Sequence, residues 1–519
     1  MKNKKISMKK VLNKILSRIV ISALLLIVQI AAIFIVVYYF AAYNTAIQIA
    51  LRTLSVIMTL YIIMRDENSS YKIIWIIAIN ILPFFGGLMY LVAGNKRPSR
   101  KMRRQLEKSI RAENDFTRQD TKTIESMERR SAATAKYIAE KGGYPVHTNT
   151  SAEYFPSGEE LLPVLLEKLE KAEHYIYIEY FIISLGEVWQ SILSILEKKV
   201  SEGVDVRVIY DDVGCIGLLP PKYPKYLESI GIKTINFNRF VPFLSVVMNH
   251  RDHRKILVID GHTAFTGGIN LSDEYFNIKH RFGYWKDTAV MIEGDAVMNM
   301  TVMFAQMWNA FSADRIVCDF CTPHRYHEAP FEGSGYVQPF SDSPLDDEQV
   351  GENIYIDILN QAQDYVYIFT PYLIIDDQMR VALTLAAKRG VDVRLVTPGI
   401  PDKKPVFRIT RSHYLSLIEA GVKIYEYSPG FIHAKSYVCD DRIAVVGSIN
   451  MDFRSLYLHF ECGIFMCSEA PDKPMPAITA LKEDCEQVFA VSRRIEKDES
   501  RRFGKTLLDA VLRLFGPLI

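Results

Sequence analysis

HRKILVID, residues 253–260, and HAKSYVCD, residues 433–440, are two copies of the pattern His-x-Lys-x4-Asp, and they decide how this chain folds. In both copies an asparagine follows the histidine by seventeen residues, within GGIN at 267–270 and GSIN at 447–450. One match to so short a pattern is only a hypothesis. Two matches with the same downstream spacing indicate that a functional unit occurs twice.

Each copy predicts a short strand that carries the histidine and the lysine. ILVI and SYV are apolar or β-branched runs of the kind found in strands. Because residues two apart on a strand face the same side, His253 projects together with Lys255, and His433 with Lys435. Each copy therefore places an imidazole next to an ammonium group.

The turn after each strand determines which residue faces the histidine. If the first turn is centred on residues 261–262, His253 faces Asn270. If it is centred on 260–261, an Asp-Gly pair typical of type I′ turns, His253 faces Gly268. The same arithmetic in the second copy pairs His433 with Asn450 or with Ser448.

The repetition extends upstream of both motifs. YIYIEYFI at 175–182 parallels YVYIFTPYLI at 365–374, and each leads through an amphipathic stretch to GVDVRVIY at 203–210 or GVDVRLVT at 390–397. Strand, helix and strand in this order predict a βαβ unit in a mostly buried sheet. We therefore expect an α/β chain with two lobes related by a pseudo-twofold axis, each supplying half of a single site.

With these motifs the chain resembles the phospholipase D superfamily and, within it, the bacterial cardiolipin synthases. The resemblance covers nearly the whole chain and implies that each lobe is a phospholipase D-like α-β-α sandwich. One departure is His459, where the family has asparagine. The similar blocks are NHRDHRKILVIDGHTAFTGGINLSDEY from residue 249, YWKD from 284, RGVDVRLVTPG from 389, AGVKIYEYSPGFIHAKSYV from 420 and GSINMDFRSLYLHFE from 447.

The repeats and the resemblance divide the chain into five parts. A length of 519 residues fits about three domains. The parts are an N-terminal membrane region at 1–95, a basic linker next to the membrane at 96–145, the two lobes at 146–335 and 336–490, and a C-terminal amphipathic helix at 491–519.

Paired histidines and lysines suit the cleavage of a phosphodiester. One neutral histidine attacks phosphorus and forms a phosphohistidine; the other, protonated, donates to the departing alkoxide and later accepts the proton of the incoming hydroxyl. The sequence leaves open which histidine attacks, and we favour His253. The predicted catalytic residues are His253, Lys255, Asp260, His433, Lys435 and Asp440, of which the two aspartates are better suited to holding the motif turns.

A second set of residues is expected to support the phosphoryl group and the imidazoles. Asparagine amides can join the lysines in neutralising the phosphoryl oxygens. The resemblance implies that a carboxylate orients each imidazole, and it points to Asp287 and Glu461. The predicted supporting residues are Asn270, Asn450, Gly268, Ser448, Asp287 and Glu461.

The resemblance implies a phosphatidyltransferase that joins two phosphatidylglycerol molecules into cardiolipin and releases glycerol. Two alternatives remain. Water could replace the lipid acceptor, which makes the enzyme a phospholipase D, or the lobes could bind lipid without catalysis, a reading that the intact motifs disfavour. The expected chemistry requires no metal and no other cofactor.

Apolar segments near the N-terminus predict a membrane protein. Residues 19–41 carry no charge and are long enough to span a bilayer. Residues 73–93 are a second candidate, interrupted by Pro83, and residues 46–64 are a weaker third, because they contain Arg52. We expect two spans in a multi-pass protein, with 46–64 interfacial or re-entrant; three spans are the alternative.

Basic residues flank the apolar region on both sides. Residues 1–18 carry seven Lys/Arg and no acid, and residues 96–111 carry eight and one acid. Because positive residues favour the cytoplasm, both flanks and the catalytic lobes are predicted on the cytoplasmic side of the cell membrane. Such flanks also attract anionic membrane lipid. The net charge is +2 and each flank contributes +7, so the remainder carries −12, which disfavours a nucleic-acid partner.

Cysteine usage points to reduced thiols. Seven cysteines, an odd number, do not form a complete disulfide framework. One stretch resembles a metal cluster but lacks the long separation between ligand pairs that is typical of zinc modules, so we expect no metal there. Its residues are Cys318, Cys321, His324 and His327.

Overall fold

The computed structural model describes residues 31, 35, 45–94, 98–240, 249–346, 348–470 and 472–518. The chain divides into two compact units, one of Met1–Arg97 with Arg239–Asn249 and the other of Pro98–Asn238 with His250–Ile519. Both motifs lie in the second unit.

Residues 45–94 of the first unit form three helices: α1 (Thr45–Met64), α2 (Ser69–Ile81) and α3 (Pro83–Ala93). Within the described residues α1 is the one helix long and apolar enough to cross a membrane. The segment that we ranked as the weakest candidate is therefore a continuous helix, and its single arginine does not interrupt it. The candidate at 19–41 lies outside the described residues, apart from residues 31 and 35.

The expected span at 73–93 is divided between two shorter helices. Leu82, between α2 and α3, has φ −127° and ψ 76°, outside the helical region. Pro83 causes the break, because it has no N–H to donate and disfavours helical backbone in the residue before it. This segment does not form one continuous spanning helix.

The segment expected to be a basic linker is helical and belongs to the second unit. Ser99 accepts a hydrogen bond from the N–H of Met102 and so caps the first helix. Tyr137 donates to Glu348, far along the chain, at 2.7 Å. The helices are α4 (Arg100–Glu113), α5 (Thr121–Ser126) and α6 (Arg129–Tyr137).

The first lobe alternates strands and helices. Its strands are β1 (Thr150–Phe155), β2 (Tyr175–Tyr180), β3 (Asp205–Asp211), β4 (Lys233–Phe237), β5 (Lys255–Ile259), β6 (Thr263–Gly267), β7 (Tyr284–Lys286) and β8 (Ala289–Gly294). Its helices are α7 (Gly158–Glu170), α8 (Glu187–Ser201), α9 (Tyr223–Ser229) and α10 (Val297–Phe311).

The second lobe repeats this arrangement and continues to the C-terminus. Its strands are β9 (Tyr336–Asp342), β10 (Tyr365–Phe369), β11 (Asp392–Pro398), β12 (Lys423–Tyr427), β13 (Gly430–Ile432), β14 (Ser436–Cys439), β15 (Ile443–Gly447), β16 (Glu461–Cys467) and β17 (Ser492–Arg494). Its helices are α11 (Val350–Gln361), α12 (Asp377–Lys388), α13 (Lys404–Ser412), α14 (Tyr414–Glu419), α15 (Phe453–Tyr457), α16 (Pro476–Ala490), α17 (Lys497–Ser500) and α18 (Leu507–Phe515).

Both sheets have the same strand order. The first is β1-β8-β6-β5-β2-β3-β4, and the second is β9-β16-β15-β14-β10-β11-β12 with β17 added at the edge. In each, three parallel strands are joined to an antiparallel motif hairpin through β2–β5 or β10–β14. The prediction of a duplicated mixed α/β unit is confirmed.

The βαβ unit forms because its strands and one helix face are apolar. Every residue of β2 and β5 is buried, and α8 buries Val188, Ile192 and Leu196, which are four residues apart on one face. Full burial of such a side chain stabilises the fold by about 1.5–3 kcal/mol. Gly203 (φ 95°) and Gly390 (φ 98°) occupy equivalent turns before β3 and β11, where only glycine adopts left-handed backbone freely.

The first motif hairpin turns at Asp260 and Gly261, which both have left-handed backbone, with φ 50° and 73°. The N–H of His262 donates to the carbonyl of Ile259 at 3.3 Å. Asp440 (φ 52°) occupies the same position in the second hairpin. These conformations are those of a type I′ turn.

The register beyond the turn differs from both expectations. Ile259 pairs with Thr263, so three residues rather than two connect the strands. Continued to the motif, this register places His253 opposite Ile269, and the second hairpin has the same three-residue connection. The extra residue shifts the pairing by one position. Neither expected partner, Asn270 or Gly268, therefore lies directly opposite His253; each is one residue away. The same holds for Asn450 and Ser448 opposite His433.

The C-terminal amphipathic helix is shorter than the expected 491–519. α18 packs on the second lobe through Leu512 and through Asp509, whose carboxylate accepts from Arg408 at 2.8 Å. Part of its apolar surface stays exposed, at Leu507, Leu508 and Val511.

Candidate active site

His253 lies just before β5 and is held by a carboxylate of the second lobe. Its Nδ1 is 2.9 Å from both carboxylate oxygens of Glu461, the first residue of β16. Glu461 also accepts hydrogen bonds from Ser455 at 2.7 Å and from Ser448. When Nδ1–H is donated to this carboxylate, Nε2 carries the lone pair that can attack phosphorus.

His433 is held in the same way by a carboxylate of the first lobe. Its Nδ1 lies 2.7 Å from Oδ2 of Asp287, between β7 and β8. The N–H of Thr288 donates to the other oxygen, Oδ1, at 2.9 Å. Each lobe therefore supplies the carboxylate that orients the histidine of the other lobe.

Backbone hydrogen bonds between the lobes hold each histidine next to the carboxylate of the other lobe. The N–H of His253 donates to the carbonyl of Phe460 at 2.9 Å, and the N–H of His433 donates to the carbonyl of Lys286 at 2.7 Å. In both cases the accepting residue directly precedes the orienting carboxylate. The strands β7 and β13, one from each lobe, also pair in parallel.

Both motif lysines are buried next to their histidines. Lys255 is 0% and Lys435 1% exposed. The Nζ of Lys435 lies 3.0 Å from Nε2 of His433. Each lysine also donates to the backbone carbonyl of the histidine in its own motif.

Burial keeps both imidazoles neutral. It lowers the pKa of His253 to about 3 and that of His433 to about 4, although the neighbouring carboxylates oppose the shift. Burial alone would raise the pKa of Asp287 and of Glu461, but the adjacent histidines and lysines hold both below their usual range. At neutral pH each pair is an ionised carboxylate with a neutral imidazole, the state that a nucleophile requires.

The lysines respond to the same environment. Burial lowers the pKa of Lys255 to about 8 and that of Lys435 to about 7, against the attraction of Glu461 and Asp287 respectively. Lys255 also lowers the pKa of Lys435 and of His433, so charges of the two lobes act on each other. When both lysines are charged, they offset the negative charges of the two carboxylates. The negative charge of an entering phosphodiester then favours protonation of a nearby group.

Gly268 in the first motif and Ser448 in the second occupy corresponding positions, and each residue suits the carboxylate that lies next to it. A Cβ at Gly268 would lie 2.1 Å from Oδ1 of Asp287, so no side chain fits there. Ser448 occupies the corresponding place in the second motif and uses its hydroxyl to hold Glu461. Asp287 thus requires a glycine beside it, whereas Glu461 gains a hydrogen bond from the serine.

The two asparagines are buried after the motif hairpins. Asn270 accepts from the N–H of Ile182 through Oδ1 at 3.0 Å. Its Nδ2 has no hydrogen-bond partner within the described part of the chain, and for Asn450 the same holds of Oδ1. The free amide of Asn270 is therefore able to donate to a phosphoryl oxygen.

The motif aspartates lie at the turns and bind backbone amides. Asp260 and Asp440 each accept from three consecutive N–H groups, at the starts of β2 and β10. Their carboxylates therefore tie the motif turn to the neighbouring strand. The donors are Glu173, His174 and Tyr175 for Asp260, and Gln363, Asp364 and Tyr365 for Asp440, at 2.8–3.0 Å.

Aromatic rings that the sequence did not single out surround the histidines. The ring of Phe181 lies 4.9 Å from that of His253, between centroids. The rings of Tyr275 and Trp285 lie 5.3 and 5.4 Å from that of His433. Their positions in the sequence were the available signal, because Phe181 is the penultimate residue of the first repeated run and Trp285 is part of YWKD.

His459, the departure from the family pattern, lies next to the pair formed by His253 and Glu461. Its ring centroid is 5.6 Å from that of His253, and its Nδ1 is 3.7 Å from Oε1 of Glu461. In the described residues these three form the group that could hold a metal ion. The set considered from the sequence, Cys318, Cys321, His324 and His327, forms no such group there.

Three segments of the chain match two known families. Residues 165–308 and 355–487 match the family described as cardiolipin synthase, PLD-like domain. Residues 53–95 match the family described as phospholipase D-nuclease N-terminal. The repeated match of the first family coincides with the two lobes.

Relatives align over almost the whole chain. A cardiolipin synthase of Geobacillus sp. (strain WCH70) is 34% identical over 476 residues, 90% of this chain and 92% of the relative. An uncharacterized protein of Streptococcus mutans is 45% identical over 465 residues, 89% of this chain and 99% of the relative. The crystal structure of phosphatidylserine synthase from Haemophilus influenzae superposes with a TM-score of 0.54 at 13% identity, over 74% of this chain and 97% of that one, which shows a shared fold.

Proposed function

This chain belongs to the cardiolipin synthase family of phospholipase D-like proteins, and from that premise we propose that it transfers a phosphatidyl group between two phosphatidylglycerol molecules. The products are cardiolipin and glycerol. The phospholipid substrate class agrees with the family. The choice of phosphatidylglycerol as both donor and acceptor is the specific part of the proposal.

In the first step Nε2 of His253 attacks the phosphorus of the donor lipid. A bond forms between nitrogen and phosphorus, and the bond from phosphorus to the glycerol oxygen breaks. His433, which takes up a proton when the anionic phosphodiester enters, donates this proton to that oxygen, and glycerol leaves. The assignment of His253 as nucleophile rests on Lys435, whose Nζ lies against the ring of His433, 2.7 Å from Nδ1 and 3.0 Å from Nε2, so that its positive charge makes this ring the poorer nucleophile.

In the second step the hydroxyl of an acceptor phosphatidylglycerol attacks the phosphohistidine. His433, now neutral, takes the hydroxyl proton, the nitrogen–phosphorus bond breaks and cardiolipin forms. Lys255, Lys435 and the free amide of Asn270 stabilise the negative phosphoryl oxygens in both steps. The residues return to their starting protonation state, so the cycle consumes no proton.

The observation that carries this proposal is the crosswise pairing of His253 with Glu461 and of His433 with Asp287, at 2.9 and 2.7 Å. Two oriented imidazoles in similar environments suit a reaction that replaces one alcohol on phosphorus by another. In such a reaction the leaving group and the attacking group are both alcohols. Both imidazoles are only 7% exposed. Limited access for water favours a lipid hydroxyl as the acceptor over hydrolysis.

The setting that we propose is the cell membrane, with the chain crossing it more than once and both lobes on the cytoplasmic side. The apolar helix α1 and the basic flanks support this arrangement. We also propose a pseudo-twofold axis between the lobes, which the shared strand order and the exchanged carboxylates support. Nucleic acid is not a partner in this proposal.

The test uses the full-length protein in vesicles of labelled phosphatidylglycerol, with mass spectrometry of the lipid products. Cardiolipin and glycerol should appear in equal amounts. His253→Ala and His433→Ala should each abolish turnover, whereas His413→Ala, which removes a buried histidine of the second lobe, should retain it. Phosphatidic acid as the sole product would establish hydrolysis instead, and no turnover at all would favour a lipid-binding role.

A further inference from the structure

His459 has no evident task in the phosphatidyl transfer, yet it lies beside the catalytic pair. Its side chain is 10% exposed, and neither ring nitrogen has a hydrogen-bond partner in the described part of the chain. A buried imidazole without a partner costs free energy unless some other group satisfies it. The described residues therefore leave the ring nitrogens of His459, with Glu461 at 3.7 Å from Nδ1, available to a bound group.

The ligand atoms around His459 lie close enough together for one metal ion to contact all three residues. Metal–ligand bonds of about 2.0–2.1 Å at tetrahedral angles place neighbouring ligand atoms about 3.3 Å apart. Nδ1 of His253 lies 2.9 Å from Oε2 of Glu461, and Nδ1 of His459 lies 3.7 Å from Oε1. One ligand atom from each of the three residues falls within 4.8 Å of the other two.

We propose that His253, His459 and Glu461 form a binding site for a zinc-type divalent ion, and that the bound ion inhibits the enzyme. Two imidazoles and one carboxylate are a ligand set that suits Zn²⁺ or Co²⁺ and leaves one position open. Mg²⁺ and Ca²⁺ require more oxygen ligands and do not fit this set. Asparagine at position 459 would remove the third ligand.

Inhibition follows from the tautomer of His253. Without metal, Nδ1–H is donated to Glu461 and Nε2 holds a free lone pair. A neutral imidazole has one proton and one basic nitrogen, so an ion bound at Nδ1 moves the proton to Nε2. That nitrogen then has no lone pair for attack on phosphorus or for use as a base. The ion therefore disarms His253 in the role of nucleophile that we assign to it.

The first experiment measures turnover of phosphatidylglycerol by the full-length protein in vesicles with buffered free Zn²⁺. An excess should lower the rate at least about tenfold, with recovery on addition of a chelator, because the ion at Nδ1 holds the proton on Nε2 and so removes the lone pair that attacks phosphorus. The same concentration of Mg²⁺ should have no effect. His459→Asn should abolish the sensitivity, with each variant compared with its own metal-free rate.

The second experiment does not depend on catalysis. Co²⁺ added to the detergent-solubilised full-length protein should give the intense visible absorption of a tetrahedral complex, which Zn²⁺ displaces. The absorption should be lost in His459→Asn and in His253→Ala. Since it needs no substrate, it tests the metal site even if the chain makes a product other than cardiolipin.

A matched control separates this site from other histidines. His324→Asn removes an exposed histidine from the Cys318–His327 stretch and should retain both Zn²⁺ inhibition and the Co²⁺ spectrum. Thermal unfolding verifies that each variant is folded, and His459→Gln replaces His459→Asn if the latter is not. Loss of the signals in His324→Asn, or retention of them in a folded variant at 459, would overturn the proposal, as would a wild-type protein that neither binds Co²⁺ nor responds to Zn²⁺.

Discussion

Glu461→Gln is the substitution that tests the crosswise pairing most directly. It keeps the size of the side chain and removes its charge. The carboxylate is fully buried, is ionised because its pKa is lowered, and accepts from His253, Ser448 and Ser455. A glutamine has one acceptor oxygen for three donors. Its amide can also donate to Nδ1 of His253, which stabilises the tautomer with the proton on Nε2.

The expected loss can be estimated from the hydrogen bond that disappears. A hydrogen bond to a charged group contributes about 1.5–3 kcal/mol. If this stabilisation applies to the transition state, kcat falls by about 10- to 150-fold at 25 °C. The estimate is a lower bound, because the wrong tautomer adds to the loss. Ser455→Ala removes a single neutral partner of Glu461 and should cost less, about 0.5–1.5 kcal/mol or up to about tenfold.

The assay is the initial rate of cardiolipin formation by folded variants in phosphatidylglycerol vesicles. Asp287→Asn should lower kcat to a similar degree, since it removes the charge beside His433. The control is Glu426→Gln, another buried carboxylate, which binds Arg411 and Arg493 outside the site. It should reduce the melting temperature without a comparable loss of kcat.

Two results would refute the reasoning. If Glu461→Gln retains more than half of the wild-type kcat, the carboxylate does not set the state of His253. If Glu426→Gln lowers kcat as strongly, the loss reflects general destabilisation. A double variant of Glu461 and Ser455 supplies a further check, because residues acting through one contact give non-additive losses.

Three further predictions concern other parts of the molecule. Because burial lowers the pKa of Lys435 to about 7 and of Lys255 to about 8, both lose their charge as pH rises, so kcat/KM should fall on the alkaline side; a flat profile from about pH 6 to about pH 10 contradicts this. Asp260→Ala leaves three backbone amides without their acceptor, and the free energy of unfolding in a denaturant titration should fall by about 1–3 kcal/mol; an unchanged midpoint contradicts this. Leu508→Glu should lower turnover on vesicles but not on short-chain lipid in micelles if the exposed face of α18 contacts the bilayer; equal losses on both contradict this.

Local patterns in the sequence carried the prediction of the fold. The two repeated apolar runs and the repeated GVDVR segments predicted the βαβ units, and both sheets contain them. The pairing register in the hairpins was wrong by one residue. Two consecutive left-handed residues, Asp260 and Gly261, form the expected turn, but the ladder starts one residue later than a two-residue connection allows. Register depends on this extra residue, which composition does not reveal.

The membrane region shows a different limit. The charge of Arg52 ranked residues 46–64 below residues 73–93, yet residues 73–93 break at Leu82, whereas residues 46–64 belong to one helix of 20 residues, Thr45–Met64. The sequence analysis noted the interruption at Pro83 but underestimated its steric effect on the residue before it. The single arginine in residues 46–64, in contrast, makes this segment less apolar without breaking its helix.

The arrangement of the site depends on contacts that no local pattern contains. His253 and Glu461 are 208 positions apart, and the partners of both histidines come from the opposite lobe. The family resemblance named the two carboxylates but not which imidazole each one orients. Ser455 was missed because its contact with Glu461 arises only when α15 and β16 are folded together.

The exchange of carboxylates explains why two lobes are needed rather than one. If each histidine were oriented by its own lobe, a single lobe would hold a complete and solvent-exposed nucleophile. Because the orienting group comes from the partner lobe, neither His253 nor His433 gains its tautomer until the lobes dock. Docking also buries Lys255 and Lys435, which lowers their pKa values and places both charges at one phosphate position. In the proposed mechanism the same contact therefore assembles the nucleophile, the acid and the phosphoryl-binding charges at once, so that the phosphohistidine would form where water is already excluded.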